Sequence, residues 1–101
     1  MNKHEALNAA NAEAARAAGW PELTGTVKQI GWATTVRADK MREFEYAAAA
    51  IPEREQNLFR TAMLREIRAG EWIDFQSQPW QAVAFTHLTA DELASLGVTK
   101  P

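Results

Sequence analysis

The sequence predicts an all-α fold, a small helical bundle that forms a single domain over residues 1–101, and three observations predict it. Residues 2–18 consist almost entirely of helix-forming side chains. Capping boxes at Thr26 and Thr89 mark two further helix starts. Apolar residues between 26 and 69 recur at the helical spacing of about 100° per residue, which gives a helix one apolar face.

The first helix is expected over residues 2–18, a segment rich in alanine. Gly19 lies just past the expected end, and Pro21 prevents the helix from continuing. Leu7 is the only large apolar side chain of this segment. We therefore expect a helix that can approach a neighbour closely but is weakly anchored to it.

The centre of the fold is expected to be an antiparallel pair of helices, at about residues 26–50 and 52–69. Thr26 and Gln29 form the capping box that opens the first of them. The pair is joined at Ile51-Pro52 with almost no loop, and so short a joint forces the two helices to pack as neighbours. Their core faces consist of Ile30, Ala33, Val36, Met41, Phe44, Ala47, Ala48 and Ile51 in the first helix, and Leu58, Phe59, Ala62, Met63, Ile67 and Ala69 in the second.

The helical spacing of apolar residues is less regular after Gly70, a residue that weakens or ends the preceding helix. Residues 75–79 have the composition of a turn, and residues 80–85 fit either a short strand or a helical turn. Trp72 and Trp80 are expected to be core or lid residues and not ligand platforms. The Thr89 capping box then opens a short C-terminal helix.

Composition and motifs argue against catalysis. The chain has no cysteine and two histidines, His4 and His87, which lie far apart in the sequence. Neither histidine belongs to a metal-binding or nucleophile motif, and the chain has no phosphate-binding glycine loop. We therefore expect no enzyme, cofactor or metal. No window approaches the roughly 18 apolar residues of a membrane span, and the absence of cysteine suits a reducing cytoplasm.

Charged residues interrupt the two apolar faces. Arg37 falls in the middle of the apolar arc of the second helix, and Glu66 falls inside that of the third. A lone buried charge is too costly to keep, so each needs a partner. We expect a structural ion pair between Arg37 and Glu66, with Asp74 as a second possible acceptor.

Two aromatic residues are candidates for partner binding. Trp32 and Tyr46 share a sector of the second helix with Lys28, opposite its main core face. Exposed aromatic side chains of this size often dominate the energy of protein interfaces. The alternative is that the alanine-rich first helix covers them, and the sequence does not decide between the two.

Three arginines are further candidates. Arg54, Arg65 and Arg68 fall close together in angle on the outer face of the third helix. Such a stripe can contact phosphates or an acidic protein surface. Glu53 and Glu71 lie alongside, and an ordinary solvated helix face is the alternative.

Two short segments carry a resemblance to a known family. Residues 23–33 read Leu-Thr-Gly-Thr-Val-Lys-Gln-Ile-Gly-Trp-Ala, Val36-Arg37 follow, and residues 71–74 read Glu-Trp-Ile-Asp. They resemble a helical domain of proteins from phages, plasmids and integrative elements of bacteria. In that domain a Thr-Gly-Ser/Thr-x-Lys-Gln-apolar-x-Trp-Ala motif opens a helix, an Ile-Arg pair follows, and an apolar-Ile-Asp signature closes a second helix. Some small type I anti-CRISPR proteins are similar at the same two places.

The resemblance covers about residues 23–74, and the chain departs from the pattern at Gly31, at Gly70 and at Phe75, where a basic residue is usual. It implies a small accessory protein of a mobile element that binds and inhibits a host defence complex. The implied partner is a Cas protein or another subunit of a type I CRISPR surveillance complex. The alternatives are a nucleic-acid-binding accessory protein that uses the arginine stripe and a structural or oligomerising phage component.

Overall fold

The structure is a computed structural model that describes residues 2–97, and these residues form six α-helices, one 3-10 turn and no strand. The all-α prediction is therefore confirmed. The elements are α1 (Lys3–Ala17), α2 (Val27–Ala48), α3 (Glu53–Leu64), α4 (Ala69–Asp74), the 3-10 turn (Phe75–Ser77), α5 (Trp80–His87) and α6 (Ala90–Ser95).

Both predicted capping boxes are present. Thr26 Oγ1 accepts a hydrogen bond from the main-chain N–H of Gln29 at 3.1 Å, and Gln29 Oε1 accepts one from the N–H of Thr26 at 3.2 Å. Thr89 and Glu92 make the same pair of bonds at 3.1 and 2.8 Å. Because each box satisfies donors that the first turn of a helix leaves free, α2 and α6 begin where the sequence indicates.

The alanine-rich helix α1 packs against α2 along a seam that is largely polar. Asn11 Nδ2 donates to Thr35 Oγ1 at 3.0 Å, and the Thr35 hydroxyl donates to Asn8 Oδ1 at 2.5 Å. Ala15 is buried on the same side of α1, whereas Leu7 stays half-exposed. Along this seam hydrogen bonds therefore take the place of large apolar contacts.

Gly31 lies under this seam, and we expect its replacement by alanine to stabilise the protein. A Cβ atom at position 31 would meet Asn8 Nδ2 at 3.5 Å, which is an ordinary contact distance. Alanine favours the interior of a helix over glycine by about 0.5–1 kcal/mol. Gly31→Ala should therefore raise the free energy of unfolding in urea by about that amount.

Gly25→Ala is the matched control for this prediction. Gly25 has a φ of +142°, and a Cβ there would lie 3.1 Å from both Ala69 Cβ and Gln29 Oε1. The same change should therefore destabilise the protein at this position. A loss of stability in Gly31→Ala would contradict the packing described for the seam.

Helices α2 and α3 are joined by residues 49–52 and run in opposite directions where they meet. The Phe44 and Phe59 rings lie 6.5 Å apart, and Gln56 Nε2 donates to the carbonyl of Ala48 at 2.8 Å. This contact involves the C-terminal part of α2. The helix packs most extensively against α1 and α4, while α3 packs mainly against α5. The antiparallel pair is therefore one contact of the bundle and not its centre.

The prediction that the third helix reaches residue 69 is wrong, because α3 ends at Leu64. The chain then passes beside the segment that leads into α2. The N–H of Thr24 donates to the carbonyl of Ile67 at 2.7 Å, and the N–H of Ala69 donates to that of Thr24 at 2.8 Å. These long-range bonds use main-chain groups of residues 67–69 that a continuing helix would have bonded internally, so α4 starts as a separate helix.

The core is rich in aromatic residues. The Trp80 ring lies 5.0 Å from that of Phe44 and 5.5 Å from that of Phe59, in edge-to-face arrangements. Trp72 is completely buried, and its indole Nε1 donates to the carbonyl of Glu66 at 2.8 Å. The prediction that Trp72 and Trp80 are core or lid residues is confirmed, and both belong to the core. Residues 80–85 belong to α5, so the strand alternative for this segment is wrong.

Candidate functional site: two grooves beside Trp32

Trp32 lies on α2 between two grooves, and its side chain is 49% exposed. Lys28, one helical turn earlier, also lines both grooves. The first groove has a volume of about 740 Å³ and the second about 490 Å³. Volumes of this size are typical of binding clefts. The two grooves therefore make the surroundings of Trp32 the best candidate for a binding surface.

The first groove runs between α1 and α2. Leu7, Trp32 and Val36 supply its apolar lining. It extends along α2 from Lys28 to Glu43, about 22 Å at the rise of an α-helix. Its polar rim consists of His4, Asn8, Lys28, Thr35, Asp39, Lys40, Glu43 and Gln76. An apolar lining with charges of both signs at the rim suits a protein segment that carries both apolar and polar side chains.

The first helix does not cover the two aromatic candidates. Leu7 and Asn8 of α1 reach the groove but leave half of Trp32 exposed. Tyr46 is 93% exposed near the end of α2. The alternative in which α1 hides this pair is therefore wrong for Tyr46 and holds only in part for Trp32.

The second groove brings together the two segments on which the family resemblance depends. Its lining comes from the start of α2 (Thr26, Lys28, Gln29, Trp32) and from α4 (Gly70, Glu71, Ile73, Asp74). Gly25 approaches Ala69 so closely that a Cβ atom at position 25 would lie 3.1 Å from Ala69 Cβ. The segments are thus neighbours in space, although about 40 residues separate them in the sequence.

The three arginine candidates do not form one free stripe. Arg65 donates two hydrogen bonds to the Glu92 carboxylate, at 2.6 and 2.8 Å, and one to the His87 carbonyl at 2.8 Å. These bonds from Arg65 are the main reason that the pKa of Glu92 falls to about 2. Arg68 lies beyond the end of α3 and pairs with Glu66. Arg54 is exposed on α3 itself.

Arg37 is buried as predicted, with 3% of its surface exposed, but the predicted ion pair with Glu66 or Asp74 is wrong. Its Nη1 donates to the carbonyl of Pro21 at 2.7 Å, and its guanidinium lies 5.3 Å from the centre of the Trp20 ring. The link between α1 and α2 therefore covers Arg37. Sequence reasoning missed this because a main-chain carbonyl has no signature in the sequence.

Glu66, 1% exposed, is held by other groups. Its carboxylate accepts from the main-chain N–H of Arg68 at 3.0 Å and from the guanidinium of Arg68, and it lies 3.1 Å from His87 Nε2. Burial alone would raise the pKa of Glu66, but the hydrogen bonds from Arg68 and His87 outweigh it and lower the pKa. Asp74 is exposed and lines the second groove.

Within residues 2–97, His, Asp and Glu side chains form no group of three or more that could bind a metal ion. The same part of the chain has no helix of the length and apolar character that a membrane span requires. The chain matches no protein-family model, and neither the curated proteins nor the solved structures include a significant match.

Proposed function

We propose that this protein is a non-enzymatic inhibitor of a host defence complex and that it binds its target through Trp32 and the first groove. The most concrete target is a Cas protein of a type I CRISPR surveillance complex in the bacterial cytoplasm, as the resemblance over residues 23–74 implies. The observation that carries the proposal is the half-exposed Trp32 between two grooves, at the place where the two resembling segments meet.

The chemistry of this surface favours a protein over a nucleic acid as the target. Tryptophan is among the residues whose truncation costs most in protein interfaces. Lys28 lies at one end of the first groove, and Asp39 and Glu43 lie towards the other. A nucleic-acid site would need free cations along a phosphate path, whereas the guanidinium groups of Arg65 and Arg68 are bound to carboxylates. Inhibition would then be steric, through occlusion of a surface that the complex needs.

The test of this function is whether the protein protects a targeted phage from the CRISPR system of its host. Expression of the protein in a bacterium with a type I system should restore plaque formation by a phage that the system targets. Trp32→Ala should abolish this effect and weaken binding to the purified complex at least about 30-fold, the consequence of losing about 2 kcal/mol at an interface hot spot. Because Trp32 is half-exposed, the melting temperature of the Trp32→Ala variant should differ little from that of the wild type.

Tyr46→Ala is the matched control, since Tyr46 is an exposed aromatic residue on the same helix about 21 Å from Trp32. Unchanged protection in Tyr46→Ala confines the interface to the groove, and reduced protection extends it along α2. Full protection by Trp32→Ala would exclude the groove as the interface. Inhibition at far less than one protein per complex would indicate an enzyme, and failure against every type I system would overturn the CRISPR target.

A further inference from the structure

Helix α1 lies outside the apolar core of the protein. Over the described residues, the buried side chains that form this core come from positions between Leu23 and Leu93, and none of them belongs to α1. Within α1 itself only Asn11 and Ala15 are buried. The helix packs mainly against α2, whereas α2 to α5 also pack against one another. The core is therefore complete without α1.

Side-chain hydrogen bonds centred on Thr35 hold α1 on α2. The Thr35 hydroxyl accepts from Asn11 Nδ2 at 3.0 Å and donates to Asn8 Oδ1 at 2.5 Å. Leu7, the one large apolar side chain of α1, is 48% exposed and adds little to this attachment. If α1 leaves α2, water can replace the lost partners of the polar side chains. Separation of the two helices therefore costs much less than the opening of an apolar core.

The link that follows α1 is fixed to the rest of the protein by a separate set of contacts. Arg37 donates to the carbonyl of Pro21, and its guanidinium lies over the Trp20 ring. Leu23 belongs to the core. Gly19 lies between α1 and these anchored residues, has a φ of +75°, and has open space where a side chain would be. The helix can therefore move about Gly19 while the link stays in place.

We propose that α1 undocks from α2 as one unit, with Gly19 as its hinge, while residues 20–97 stay folded. The first groove is complete only in the docked state, because His4, Leu7 and Asn8 form its wall on the α1 side. A partner that needs both walls binds with an affinity that the undocked fraction reduces. This consequence for binding rests on the proposed function, whereas the undocking itself does not.

Amide hydrogen exchange of the wild type, followed by NMR, measures this undocking. A helix of 15 residues is marginal in water on its own, so an undocked α1 loses its main-chain hydrogen bonds. The amides of residues 7–17 should therefore share one protection factor and exchange at least about 100-fold faster than the slowest amides of α2. A steady rise in protection from residue 7 to residue 17 would indicate fraying from the end and would overturn the proposal. Equal protection of α1 and α2 would overturn it as well.

Two adjacent threonines of α2 supply a matched pair of variants. Thr35→Val keeps the shape of the side chain but removes both hydrogen bonds of the seam, and the amides of residues 7–17 should then exchange about tenfold faster. Thr34→Val is the control, since the Thr34 hydroxyl donates to the carbonyl of Ile30 within α2 at 2.7 Å. It should leave the exchange of α1 unchanged. An equal effect of the two variants on α1 would contradict the role of the seam.

Single cysteines report the same opening independently, because the chain has none of its own. Ala15→Cys, at a buried position of α1, should react with a thiol reagent at least about 100-fold faster than Ala62→Cys, at a fully buried position of α3. Equal rates would show that α1 leaves only when the whole fold opens. Rates that fall as the protein concentration rises would place α1 on a second copy of the chain, and either result would overturn the proposal. None of these measurements needs a partner, so their failure is distinguishable from a failure of the proposed function.

Discussion

Trp72→Ala should lower the free energy of unfolding by about 4–5 kcal/mol, the upper end of the range for a large aromatic side chain removed from a core. Trp72 has no exposed surface. Its truncation leaves a cavity between α4 and the rest of the core and also leaves the Glu66 carbonyl without its indole donor. For a domain of about 100 residues this is a large share of a total stability of about 5–15 kcal/mol.

Urea denaturation followed by circular dichroism measures this loss of stability. Two further variants serve as comparisons. Trp72→Phe keeps much of the volume but loses the indole hydrogen bond, and should cost about 1–2 kcal/mol. Trp32→Ala removes the same type of side chain from a half-exposed position and should cost less than about 1 kcal/mol. Similar losses for Trp72→Ala and Trp32→Ala would contradict the burial that the structure assigns to Trp72.

Glu66→Gln should cost about 2–3 kcal/mol at pH 7, since hydrogen bonds to a charged acceptor contribute about 1.5–3 kcal/mol. Hydrogen bonds from Arg68 and His87 lower the pKa of Glu66 in the folded state despite its burial. A lowered pKa means that the carboxylate stabilises the fold above its unfolded pKa of about 4.3. This contribution is lost as the pH falls through the lower folded value. The stability difference between the wild type and the variant should therefore be largest at pH 7 and should shrink as the pH falls below the unfolded pKa of about 4.3.

Urea titrations at a series of pH values measure this convergence. Glu13→Gln is the matched control, since Glu13 is an exposed carboxylate 3.5 Å from Arg16. It should change neither the stability at pH 7 nor the slope of stability against pH. A constant difference between the wild type and Glu66→Gln from pH 7 to pH 3 would contradict the role of the charge.

Local signals in the sequence predict most of the helices. The boxes at Thr26 and Thr89 and the glycine at position 19 act within one helical turn, and the structure retains each of them. The end of the third helix was not predictable in this way. It depends on main-chain bonds between Thr24 and residues 67–69, which no local pattern records.

In the candidate site, too, local sequence patterns predict some features, and contacts between distant segments determine the others. Position on the helix correctly placed Arg37 inside and the aromatic pair away from the core, because the angle around a helix is a local property. The partner of Arg37 depends on how the link between α1 and α2 folds back, whereas the sequence suggests Glu66 or Asp74 for that role. The sequence does not reveal the contact between His87 and Glu66, because the two residues are 21 positions apart.

Helix α1 forms part of the wall of the first groove through Leu7 and Asn8. The Asn8 side chain also accepts the hydrogen bond from the Thr35 hydroxyl that joins α1 to α2, so it belongs both to the groove and to the seam. Any molecule that bound in this groove in contact with Asn8 would stabilise the packing of α1 on α2, because binding to the folded state stabilises that state.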